Sequence, residues 1–120
     1  MKGIVVTTDG FVEVRDFDEP LYQTVGKAVG GWIEIAAAEH LREPFRLIVN
    51  EEGLLRGLPI NPTGTLLRGR DSLRSPIVGD LVIMKIGMTE EGPDIVGLDE
   101  NDCEELMATL PRHWKGVSKR

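Results

Sequence analysis

Lys2-Gly3-Ile4-Val5-Val6-Thr7-Thr8-Asp9-Gly10-Phe11-Val12-Glu13-Val14-Arg15-Asp16-Phe17 decides the fold class. Two runs of β-forming residues flank Asp9-Gly10, a dipeptide that accepts the positive φ of a tight hairpin turn. The chain therefore starts with an antiparallel pair. Phe11 and Phe17 fall out of phase with Val12 and Val14, so the second strand is expected to carry a bulge or lie at an edge. Working outward, Asp18 is expected to cap a helix over Leu21–Val29, with Pro20 near its first turn and Gly30-Gly31 as its stop. Trp32–Ala36 and Phe45–Val49 read as strands. Asn50–Gly53 reads as a turn and Leu54–Arg56 as a short returning strand. Asn61–Leu67 is loop or one helical turn. Ile77–Ile86 is the longest strand, bent at Gly79-Asp80, and Gly87–Gly92 is a turn. Asp99 caps a last helix, Glu100–Leu110, which Pro111 ends. Hairpins interrupted by helices predict an α+β domain, a mainly antiparallel sheet with two or three helices on one face. Spacing assigns Leu21, Val25, Ile33, Ile35, Leu47, Val49, Ile83, Leu98, Leu106 and Leu110 to the core.

The 120 residues suffice for one domain. A single domain over 1–110 with a basic tail at 111–120 is the expected organisation. Hydrophobic residues make up 41%, which excludes intrinsic disorder, and no apolar run has the length of a membrane span. The start, with Lys2 but no long apolar stretch, leads to the expectation that no signal peptide is present. Cys103 is the one cysteine, so no internal disulfide framework exists and a reducing cytoplasm is the expected location. Fourteen basic and twenty acidic residues give a formal charge of −6. The tail holds Arg112, Lys115, Lys119 and Arg120 and no acid, which leaves ten basic against twenty acidic residues, or −10, for the body. Such a body repels nucleic acid at long range but tolerates a local basic pocket for a small anion.

Catalytic chemistry is sparse. Cys103 is flanked by Asp102 and Glu104, acids that suppress a thiolate. His40 and His113 share no ligand spacing with a carboxylate, so no metal site is expected. Gly26-Lys27 lacks both the upstream glycine and the following hydroxyl of a phosphate loop. With no nucleophile beside a base, a non-enzyme without catalytic residues or cofactor is the expectation. One stretch stands out. Arg56, Arg68, Arg70 and Arg74 lie close in sequence with Asn61, Thr63, Thr65 and Ser72, and Asp71 is the only acid among them. Guanidinium forks and hydroxyls bind phosphate by charge-assisted hydrogen bonds. The same residues also read as a loop that offsets neighbouring acids. Trp32 beside Gly30-Gly31 is either a stacking face or core.

The blocks Val29-Gly30-Gly31-Trp32-Ile33-Glu34, Leu47-Ile48-Val49-Asn50-Glu51-Glu52-Gly53, Gly57-Leu58-Pro59-Ile60-Asn61 and Ile77-Val78-Gly79-Asp80 follow one another in that order. Together they resemble a small domain-of-unknown-function family of phages, plasmids and other mobile elements of bacteria. The resemblance spans about Met1 to Leu110. Trp32 departs from the Tyr expected there, and Arg68 to Arg74 matches no family motif. Phage proteins of this size and style are similar to anti-defence sponges, which bind the cyclic nucleotide signal of a bacterial immune system without cleaving it. The resemblance implies a ligand held at the interface of a homodimer or tetramer, in the host cytoplasm; the residues expected to hold it, from their own chemistry, are Arg56, Asn61, Thr65, Arg68, Arg70 and Arg74, with Trp32 as a stacking face. The alternatives are an acidic decoy of DNA-mimic or anti-restriction type that binds a host protein, and a small nucleotide-acting enzyme. The oligomer is expected through the Phe11–Phe17 strand, whose aromatics would otherwise be exposed.

Overall fold

The computed structural model describes residues 1–110; the basic tail and His113 lie outside the described residues. Strands β1 (Lys2–Val6) and β2 (Val12–Asp16) form the expected hairpin, with Ile4 opposite Val14. Helix α1 (Leu21–Val29) follows, then β3 (Ile33–Ala36), β4 (Phe45–Asn50), α2 (Pro62–Arg68), a 3₁₀ turn (Gly69–Leu73), β5 (Leu81–Thr89), β6 (Gly92–Val96) and α3 (Glu100–Thr109). The sheet is antiparallel throughout, in the order β2-β1-β5-β4-β3, with β6 also on β5. This is the expected α+β class. The β2 register is continuous, so the out-of-phase phenylalanines mark an edge strand without a bulge. Phe11 (4% exposed) and Phe17 (5%) flank that strand and are buried, not left for a partner as the sequence suggested.

The helices occupy both faces of the sheet, where the sequence reading placed them on one. Val25 and Val29 of α1 pack with Val5, Ile48, Val82 and Met84. Leu67 of α2 and Cys103, Leu106 and Leu110 of α3 or its end pack with Ile4, Val6, Leu47, Val49, Leu81 and Ile83. Neighbouring strand residues alternate between these two clusters, as the period of a strand requires. Val25, Leu47, Val49, Ile83, Leu98, Leu106 and Leu110 are buried as expected, and Leu21 and Ile33 are half-buried. Ile35 is 44% exposed, because β3 is a sheet edge.

Local differences have physical causes. The start of α1 has no side-chain cap; the Asp18 backbone carbonyl instead accepts from the Thr24 hydroxyl at 2.6 Å. Gly30 ends α1 at φ +90°, the left-handed cap that glycine adopts without a Cβ penalty. Leu54–Arg56 is a compact turn instead of a strand: Arg56 N–H donates to Glu52 O at 2.9 Å and Leu58 N–H to Gly53 O at 3.0 Å. The bend at Gly79 is present, and β5 begins after it and runs through Gly87 to Thr89. A Cβ on Gly87 would meet Val96 at 2.8 Å, so the glycine there serves close strand approach and not a turn. Asp99 caps α3 in a reciprocal capping box with Asp102. Lys85 Nζ then donates to Asp102 Oδ2 at 2.7 Å, fixing that helix end to β5.

Candidate functional site

Within the protomer, the seven residues singled out by sequence line no single cavity. Asn61 is fully buried, and its amide donates to Val6 O at 3.0 Å and Gly79 O at 2.9 Å while its oxygen accepts from Gly64 N–H. Every strong hydrogen-bonding group of that side chain is committed to holding β1, the Gly79 bend and the start of α2 together. The Thr65 hydroxyl donates to Ile77 O and accepts from Ile77 N–H. The donor hydrogens of both side chains are thus committed within the fold, which gives Asn61 and Thr65 a structural role in the described residues.

Arg68 is the last residue of α2, Arg70 lies in the 3₁₀ turn and Arg74 follows it. Arg70 is exposed and paired with Glu39 at 3.0 Å. The Arg70 backbone amide, then its guanidinium, hold the Glu39 carboxyl below its ordinary range against the effect of desolvation. Arg68 and Arg70 line an open groove of about 400 Å³ with Glu39, Glu43 and Asp71. Arg68 also lines a cavity of about 80 Å³ with Glu34 and Glu51. Acids outnumber the arginines in both linings, yet of these two arginines only Arg70 is ion-paired among the described residues, and Arg68 Nε is buried without a hydrogen-bond partner. Arg74 is exposed and lines neither.

Trp32 and Arg56 are brought together elsewhere. They share an open, mostly apolar groove of about 470 Å³ with Tyr22, Gln23, Gly26, Lys27, Gly30 and Gly31. Its size lies within the range of small-molecule sites. Helix α1 supplies one wall, since Tyr22, Gly26 and Gly30 are spaced by four and so fall on one side of it. The three glycines leave bare backbone as the floor. A Cβ on Gly26 would meet Gly31 O at 3.0 Å, so that close approach requires its missing side chain. The opposite wall is the turn after β4. Asn50 positions it by donating to Val29 O at 3.1 Å and accepting from Glu52 N–H at 2.8 Å. Arg56 reaches across to Gly30 O at 3.1 Å and is braced by Glu52 at 3.2 Å. Trp32 is 71% exposed and Tyr22 59%, which settles Trp32 as surface and not core. Among the described residues Lys27 makes no ion pair. Two exposed aromatics beside two cations can stack a planar ring and neutralise an attached anion. Tyr22, Gln23 and Lys27 are not among the residues the sequence singles out, because the apolar spacing of α1 marks its buried stripe and these three lie on the opposite face.

Cys103 is buried, and that burial pushes its thiol up, with Asp102, Asp99 and Glu100 adding to the effect and Lys2 opposing it. It is held protonated and packs as a small apolar group. No group of three His, Cys, Asp or Glu side chains is placed to hold a metal among the described residues. No described helix is long and apolar enough to cross a membrane. The family model described as a domain of unknown function, DUF3846, matches residues 1–111. No curated protein and no solved structure matches the chain.

Proposed function

The chain belongs to the DUF3846 family, a label that carries no activity, so its own groove must supply the reading; we propose that it binds a cyclic nucleotide signal and holds it intact. The observation that carries this reading is the pairing of exposed Trp32 and Tyr22 with Lys27 and Arg56 around one glycine-floored groove. A base stacks on the aromatics, and a phosphate sits against the two cations. Binding alone achieves sequestration, which asks for affinity and no nucleophile or base. The phage setting drawn from the sequence resemblance gives this activity a use, the removal of a host defence signal. In this reading the protein works in the host cytoplasm as a homo-oligomer.

The test is incubation with a panel of cyclic di- and trinucleotides, then heat release, chromatography and calorimetric titration. The expected result is one retained nucleotide recovered unchanged. Stacking is worth about 1–3 kcal/mol per base, so Trp32→Ala should weaken binding roughly 5- to 150-fold. Its melting temperature should stay near that of the parent, because the ring is exposed. Recovery of an altered nucleotide would make the protein an enzyme. Retention of nothing would leave the acidic decoy.

A further inference from the structure

Among the described residues, three strands, β2, β3 and β6, have a partner on one side only. An open strand edge is a template for pairing, and proteins blunt such edges with charge or proline. Glu13, Arg15 and Asp16 charge β2, and β6 carries Pro93 and Asp94. The third edge is bare: Ile33-Glu34-Ile35-Ala36 has one charge and runs on into Ala37-Ala38. Ile35 and Ala37 are exposed beside it.

The ladder fixes which backbone groups are free. Glu51 N–H donates to Trp32 O at 2.8 Å, in line with the β3–β4 register. Antiparallel pairs alternate, so Trp32, Glu34 and Ala36 turn their polar groups toward β4, and Ile33, Ile35 and Ala37 turn theirs outward. On the other side of β4, Ile86 N–H donates to Pro44 O at 3.0 Å, which places the even-numbered β4 residues toward β5 and agrees with this phase.

We propose that the β3 edge pairs with β3 of a second copy, antiparallel, with Ile35 opposite Ile35 on the two-fold axis. A two-fold normal to the sheet keeps each residue on its own face, so paired positions must share parity. Centring on Glu34 would set two carboxylates against each other, whereas centring on Ile35 places Glu34 opposite Ala36. The outward amides and carbonyls of Ile33, Ile35 and Ala37 then find partners, and two exposed isoleucine side chains cover each other. A second copy supplies the same lightly charged edge, and of the two registers centred on the middle of β3 the one through Ile35 avoids the like-charge contact. The interface does not rest on what the groove binds.

Light scattering at micromolar concentration should give about twice the 13.3 kDa of the chain. Ile35→Pro removes an outward N–H without touching the β4 ladder, and it should halve the mass while circular dichroism stays unchanged. Hydrogen-bonded antiparallel residues have Cα atoms about 5.5 Å apart, within disulfide reach, whereas the two Glu34 positions would lie roughly 8 Å apart, beyond it. Ile35→Cys should therefore cross-link on oxidation and Glu34→Cys should not; Cys103 is buried. A monomeric parent protein, a dimeric Ile35→Pro, or cross-linking through Glu34→Cys in place of Ile35→Cys would overturn the proposal, whatever ligand the groove retains.

Discussion

Asn61 shows why a polar residue in a promising stretch can be structural. Its side chain satisfies two carbonyls and one amide that are buried with it. Each orphaned buried group costs about 1–3 kcal/mol, so Asn61→Ala should lower the melting temperature by roughly 10 °C or more. Arg70→Ala should leave melting unchanged, since its pair with Glu39 is at the surface. Differential scanning calorimetry of the two variants checks both. Asp102 adds a pH dependence. Burial pushes its carboxyl up, but the Lys85 ammonium and the Asp99 amide outweigh burial and hold it below its ordinary value. A carboxyl lowered in the folded state contributes stability above its ordinary value, and that contribution is lost as pH falls below about 4. Melting curves at falling pH should show the gap between the parent and Asp102→Asn closing across that window. Sequence located Trp32 and Arg56 but not their company. Composition marks an arginine cluster; it does not say that Glu39, Glu34 and Glu51 fold up beside it.

Elements with complete local signals were legible. The Asp9-Gly10 hairpin, the Gly30 stop of α1 and the Asp99 start of α3 each carry their cause within a few residues. Removal of the last of these, Asp99→Ala, should cost about 1 kcal/mol, read as a small fall in the denaturant midpoint with an unchanged slope. Leu54–Arg56 was misread because three residues with β-capable side chains say little once Gly57 closes a turn at φ +67°. The two-sided covering of the sheet has a trace in the sequence. Ile4-Val5-Val6, Leu47-Ile48-Val49 and Leu81-Val82-Ile83-Met84 are unbroken apolar runs, the mark of strands buried on both faces.

At the scale of the molecule, the two clusters make a direct comparison available. Val82 and Ile83 are adjacent, fully buried and in opposite clusters. A sheet covered on one face would tolerate a charge at one of them. Here Val82→Asp and Ile83→Asp should both abolish the cooperative thermal transition, because an unpaired buried carboxylate costs several kcal/mol on either side. A folded Val82→Asp would remove α1 from its place against the sheet, and with it the wall of the groove.

The position of β5 between β1 and β4 also has a consequence during synthesis. Ile4 waits for Ile83, about 80 residues later, which at the usual 5–20 residues per second is roughly 4–16 s on the ribosome. The first hairpin leaves the exit tunnel with Val5 and Val6 and no sheet to join. Until β5 arrives the nascent chain shows both of its future interiors to water, so its window of exposure to chaperones and proteases is set by translation speed more than by the final stability of the fold.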